Sequence, residues 1–125
     1  MTSREHGASP GSMDPRVVLM TAPSREVGLE LAHALVSERL VACVNIADGV
    51  TSVYIWEGSI EQADEVLMVA KTVSWCVPKL ESRLLELHPF DVPEFVVLKP
   101  EHVEARFAEW LLGASPPPVH PGDRT

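Results

Sequence analysis

The chain contains no apolar run long enough to cross a bilayer and no charged segment leading into an apolar one near its start, which predicts a soluble protein of the cytoplasm with no membrane partner. Clusters of Lys or Arg are also missing. Ten basic residues stand against eighteen acidic ones, a formal charge of −8, and such a surface repels a phosphate backbone, so nucleic acid is excluded as a partner. Cysteine is scarce. Cys43 and Cys76 stand in no ligand-pair spacing, so neither a disulfide framework nor a zinc finger follows, and both read as free thiols. A Gly-rich phosphate loop, an H-E-x-x-H pair and a nucleophile elbow are all absent, and neither cysteine has a histidine beside it. The expectation is a protein that is not an enzyme and needs no obligatory cofactor.

At 125 residues the chain is one domain with unstructured ends. Residues 1–15 lack apolar periodicity and read as disordered, with Gly11-Ser12-Met13 resembling an expression-vector remnant. Residues 114–125 hold four of the eleven prolines and read as a disordered Pro-rich tail. The domain is placed at 16–113. About a hundred ordered residues bury a small fraction of their surface, and association is the natural remedy.

What is present is organised around Leu40 to Thr72. Two arms rich in Val, Ile, Tyr and Trp flank Glu57-Gly58, a pair suited to a tight primed turn, and together they predict one long antiparallel hairpin. Val50, Ser52, Tyr54 and Trp56 share one face and Thr51, Val53 and Ile55 the other. In the second arm Val66, Met68 and Ala70 oppose Leu67, Val69 and Lys71. Neither face is polar throughout, so both need cover.

Around the hairpin, Arg16 to Thr21 reads as a short buried strand, and Ser24 caps a helix that ends near Arg39-Leu40. A second helix begins near Ser74 with Pro78 in its first turn and stops at His88, before Pro89. Val92 to Lys99 reads as a fourth strand. Val103, Phe107, Trp110 and Leu111 form a last helix that Gly113 stops. The order strand, helix, strand, strand, helix, strand predicts an α+β, ferredoxin-like split βαβ subunit with a long hairpin and an extra C-terminal helix. Two helices cover one sheet face and leave the other bare, which predicts sheet-to-sheet assembly of subunits.

Three blocks, ERLVACVNI at 38–46, SVYIWEGSIEQADEVLMVAKT at 52–72 and ELHPFDVPEFVVL at 86–98, resemble the CutA divalent-cation-tolerance proteins in order and spacing. The resemblance covers residues 16–112. It implies a ferredoxin-like subunit, a homotrimer, and a role in binding or tolerating copper or another divalent cation. Trimeric signal proteins of the PII type share the architecture. A small-ligand sensor with clefts between subunits is therefore the second implied reading, and a trimeric scaffold without catalysis is the third. The family's usual His-Pro-Tyr-Glu is His88-Pro89-Phe90-Asp91 here, so a phenolic hydroxyl is absent and one carboxylate is a methylene shorter.

The expected metal ligands are Cys43, His88, Asp91 and Glu94. Cys43 is either a small hydrophobe of its strand or, as the cysteine of the ACVN block, a soft thiolate for copper in its lower oxidation state. His88, Asp91 and Glu94 recur every three residues through a segment stiffened by Pro89 and Pro93, and imidazole with carboxylates suits zinc or divalent copper. Without a metal, the same groups satisfy a helix-stopping turn. For the small-ligand reading the expected residues are Lys71, His88, Glu94 and Trp56. Lys71 shares a face with Leu67 and Val69, so its ammonium reaches solvent, a carboxylate or an anion. Trp56 and Tyr54 serve packing, an interface or a stacking platform.

Overall fold

The computed structural model describes residues 13–115. The elements are β1 (Pro15–Ala22), α1 (Arg25–Ser37), β2 (Cys43–Trp56), β3 (Ser59–Val73), α2 (Val77–Leu87, entered through a 3₁₀ turn at Ser74–Cys76), β4 (Val96–Leu98) and α3 (Ala105–Ala114). All pairings are antiparallel in a sheet of order β2-β3-β1-β4, the ferredoxin-like arrangement with α3 added. The expected disorder of residues 1–12 and 116–125 lies outside the described residues. Residues 13–15 belong with the fold. β1 starts at Pro15, Ser74 N–H donates to the Asp14 carbonyl at 2.7 Å, and Met13 packs against a small second core of Val73, Cys76 and Leu111.

The main core follows from strand alternation. Val18, Met20, Val66, Met68 and Ala70 point from one sheet face into Leu31 and Leu35 of α1 and Leu80 and Leu84 of α2. Gly28 lets α1 sit close to the sheet, because a Cβ there would stand 3.1 Å from Val66 Cγ2. Arg83 ties the helices together, its Nε and Nη2 bonding both carboxylate oxygens of Glu38 at 2.9 to 3.2 Å. On the opposite sheet face Val17, Leu19, Leu67 and Val69 are only half-buried, and Val96 and Leu98 are exposed. Among the described residues this stretch of the face is only partly covered, the fully buried part being its end at Val73, against Leu111 of α3.

Two expectations are corrected. The fourth strand is Val96–Leu98 rather than Val92–Lys99: it has only β1 as a neighbour, through three registered pairs, and prolines at 93 and 100 remove ladder donors at each end. Gly113 does not stop α3, which continues to Ala114 and is capped by the Ser115 N–H on the Leu111 carbonyl. Its backbone is not left-handed, so nothing there requires glycine. The start of α3 is held by Glu104, whose carboxylate accepts from the N–H groups of Arg106 and Phe107. Those bonds hold its pKa below the usual carboxylate range.

The end of α1 carries a small strain. Leu40 N–H bonds the Leu35 carbonyl and Arg39 N–H the Val36 carbonyl, both at 3.0 Å, the six-to-one and five-to-two bonds of a Schellman cap. The left-handed position is taken by Arg39 at φ 60°, where a side chain is penalised and glycine is not. Arg39→Gly is expected to stabilise the subunit by roughly 1 kcal/mol, read as a higher midpoint in urea with an unchanged slope.

Candidate functional site

The hairpin turns at Glu57 and Gly58, both at positive φ (49° and 84°), as a primed two-residue turn requires. Counting outward from it, Trp56 faces Ser59, Tyr54 faces Glu61, Ser52 faces Ala63 and Val50 faces Glu65. The register then slips by one residue, and Ala47 faces Leu67. The extra residue sits at Asp48-Gly49, with Gly49 at φ 76°, and forms a bulge. Arg25 at the start of α1 steadies it, with Nη1 3.1 and 3.2 Å from the two Asp48 carboxylate oxygens. Because β1 pairs only with residues 66–73 of β3, the arm beyond the bulge projects as a bare two-stranded ribbon. Val53, Ile55 and Ile60 are 65%, 73% and 78% exposed there on its helix-side face.

Opposite the ribbon's other face lies the loop that follows α2, and His88 shapes it. The ring is buried; Nδ1 accepts the Phe90 N–H at 3.1 Å, which leaves the proton on Nε2, and Nε2–H donates to the Thr21 carbonyl at 2.8 Å. Phe90 lies against the imidazole with ring centroids 4.8 Å apart. His88 therefore ties the Pro89-Phe90-Asp91 turn to β1 through both ring nitrogens.

Between ribbon and loop lies a cleft of about 660 Å³, within the range of small-molecule sites. Tyr54, Trp56 and Phe90 line it with aromatic surface, and its charged lining groups are Glu65, Asp91 and Glu94. No Lys, Arg or His contributes to the lining, so the field inside favours a cation.

The expected residues are divided by this geometry. Trp56, Asp91 and Glu94 meet in the cleft; Cys43, Lys71 and His88 do not line it. Cys43 begins β2 directly across from Lys71, and Lys71 donates from Nζ to the Asn45 Oδ1. His88 has no nitrogen lone pair left for a metal. Among the described residues no three His, Cys, Asp or Glu groups stand close enough to hold one ion, so Cys43, His88, Asp91 and Glu94 do not form a set within one chain. Glu65 was missed by sequence reasoning. The signal was available, since the turn register alone sets Glu65 across from Val50 and hence on the face of Tyr54 and Trp56.

Residues 16–114 match the family described as CutA1 divalent ion tolerance protein. This chain belongs to that family. It is 46% identical over 95 residues to the divalent-cation tolerance protein CutA of Thermus thermophilus, spanning 76% of this chain and 92% of that one. Human Protein CutA is 40% identical over 105 residues, which cover 84% of this chain but only 58% of the human protein. The solved Thermus thermophilus structure superposes with a TM-score of 0.79 at 43% identity, covering 82% of this chain and 99% of that one. CutA1 of Oryza sativa does so at 0.81 and 35%, covering 85% and 97%. The family's description names tolerance of divalent ions and no reaction.

Two outcomes are expected at these residues. His88→Ala leaves the Thr21 carbonyl and the Phe90 N–H unpaired, which should cost about 1–3 kcal/mol in chemical denaturation and speed amide exchange at Phe90 and Asp91. Both cysteines are free, but burial pushes the Cys76 thiol up from its ordinary range. A raised pKa keeps the group protonated in the folded protein at mildly alkaline pH, and the stability it reflects is lost only as pH climbs through the thiol range. Iodoacetamide at mildly alkaline pH should therefore leave Cys76 unmodified in native protein and label it in urea, as read by peptide mass spectrometry.

Proposed function

We propose that this protein serves divalent-cation tolerance by binding the cation in the cleft between the hairpin ribbon and the loop after α2. The carrying observation is that Glu65, Asp91 and Glu94 are the charged groups of that cleft's lining. Carboxylate oxygens suit a hard or borderline dication, copper(II) among them, better than cuprous copper, which prefers thiolate. Among the described residues one chain does not bring three donors together, so the reading requires a neighbouring subunit to complete the set. The cation is cargo here, with no catalytic role attached to it.

The proposed assembly is a homotrimer. It is supported by the partly covered sheet face, the exposed Val53, Ile55 and Ile60 of the projecting ribbon, and the family to which the chain belongs. Burying each of those side chains in a neighbour contributes roughly 1.5–3 kcal/mol, and a ring of three closes the contacts that an open head-to-tail array would leave unsatisfied. The aromatic wall of Tyr54, Trp56 and Phe90 favours a second reading in which the cleft takes a small planar molecule. The cytoplasm is the proposed location, supported by two unbridged cysteines.

Titration of the purified protein with copper(II) and with a panel of aromatic metabolites separates the two readings. For the cation reading, Asp91→Asn with Glu94→Gln should weaken copper binding by about tenfold or more, whereas Trp56→Ala should weaken it little; the reverse pattern supports the metabolite. Copper binding untouched by the double carboxylate variant would remove the cleft from consideration. Native mass spectrometry at low micromolar concentration should show a trimer. Val69→Asp should lower both assembly and folding, because a carboxylate is then buried without a partner.

A further inference from the structure

The acidic cleft offers more than a metal dication uses. A dication gathers oxygen donors at about 2.0–2.6 Å around one point, and among the described residues no three such groups converge. The cleft is also large, at about 660 Å³, and part of its wall is aromatic. Its charge is spread over two sides. Glu65 stands on β3, whereas Asp91 and Glu94 belong to the loop after α2. Among the described residues none of the three carboxylates makes an ion pair or a hydrogen bond. No basic side chain lines the cleft to cancel them.

Tyr54 and Trp56 on the ribbon and Phe90 on the loop bring ring surface to the same two sides. Phe90 is held in place by the His88 imidazole, whose Nδ1 accepts its N–H at 3.1 Å and whose ring centroid lies 4.8 Å from its own. Ring faces attract a cation and also cover hydrocarbon. Thr21 adds a neutral acceptor. It faces Leu67 across the ladder, and so stands diagonal to Glu65 on the same sheet face. The residue is 7% exposed and lines the cleft; its carbonyl is taken by His88, and its hydroxyl makes no hydrogen bond among the described residues. That oxygen is placed to accept from an N–H of a ligand.

We propose that the cleft takes a short aliphatic diammonium ion of the polyamine class. One ammonium pairs with Glu65 and donates to the Thr21 hydroxyl, the other pairs with Asp91 or Glu94, and the methylenes lie against Tyr54, Trp56 and Phe90. The formal charge of −8 draws a doubly charged ligand toward the protein. The proposal rests on the reading of this cleft as a cation site and names an organic cation for it.

The probes are 1,4-diaminobutane, the monoammonium butylamine, the neutral 1,4-butanediol and, separately, copper(II), each titrated calorimetrically into the full chain. For the organic probes the Trp56 indole N–H and the Asp91 and Glu94 amides are followed in ¹⁵N–¹H spectra. Diaminobutane should give saturable heat and shifts at all three, butylamine should bind about tenfold or more weakly, and butanediol should give no shifts. Trp56→Ala and Glu65→Gln should each weaken diaminobutane about tenfold or more. Neither position belongs to a buried cluster, so the two variants test the cleft rather than the fold. Absence of a saturable diaminobutane response, an equal response to butanediol, or undiminished binding in both variants would overturn the proposal. Copper bound where diaminobutane is not would overturn it too and leave the dication reading standing, whereas diaminobutane bound without copper would support it and remove that reading.

Discussion

Strand β3 is the constraint on which the molecule depends, because it carries the long ladders of the sheet on both edges, to β1 through residues 66–73 and to β2 through residues within 59–71, whereas β1's other edge holds only three pairs to β4. Its side chains alternate, so one commitment of register sends Val66, Met68 and Ala70 into the helices and Leu67 and Val69 to the partly covered face. A slip of one residue would exchange the two sets, placing Lys71 in the core and Met68 outside. The primed turn at Glu57-Gly58 and the bulge at Asp48-Gly49 hold that register from opposite sides, and the Arg25–Asp48 pair links the bulge to the helix layer.

The cleft proposed for the cation lies at the margin of this arrangement, between the ribbon, which β1 does not reach, and a loop held to β1 by one imidazole. His88 is thus a positioning residue, whose two hydrogen bonds tie down the turn that carries Phe90 and Asp91. Hydrogen-bonded ring nitrogens explain why a histidine in an acidic, proline-stiffened segment reads from sequence like a metal ligand and behaves in the fold like a rivet.

Much of the fold was legible before the structure because local signals agreed. The Ser24 cap, the Glu57-Gly58 turn, the apolar stripe of α2 and its stop before Pro89 each pointed to the same chain path, and the partly covered second sheet face followed from counting helices. The misses share another origin. Val92–Phe95 lead into the apolar run Val96–Leu98 but have no registered partner on β1, and a strand exists only where a partner supplies its hydrogen bonds. Gly113 looked like a cap because glycine often is one, yet its backbone never leaves the helical region. For the expected metal residues, no three of which come together among the described residues of one chain, sequence spacing outside a helix does not encode direction: Cys43 begins β2 across from Lys71, away from the cleft that Asp91 and Glu94 line.

The bulge divides the hairpin into two texts written on one pair of strands. On its inner side, every substitution in Val44, Ile46, Met68 or Ala70 is read by the helices and answered by the stability of the subunit. On its outer side, residues 50–56 and 59–65 touch no helix core, so changes there are answered by whatever the ribbon meets. Selection can therefore rewrite the ribbon's chemistry, its binding preference and its choice of neighbour, while the inner half keeps the same architecture. That separation gives a small domain room to diversify without a second domain to carry the variation.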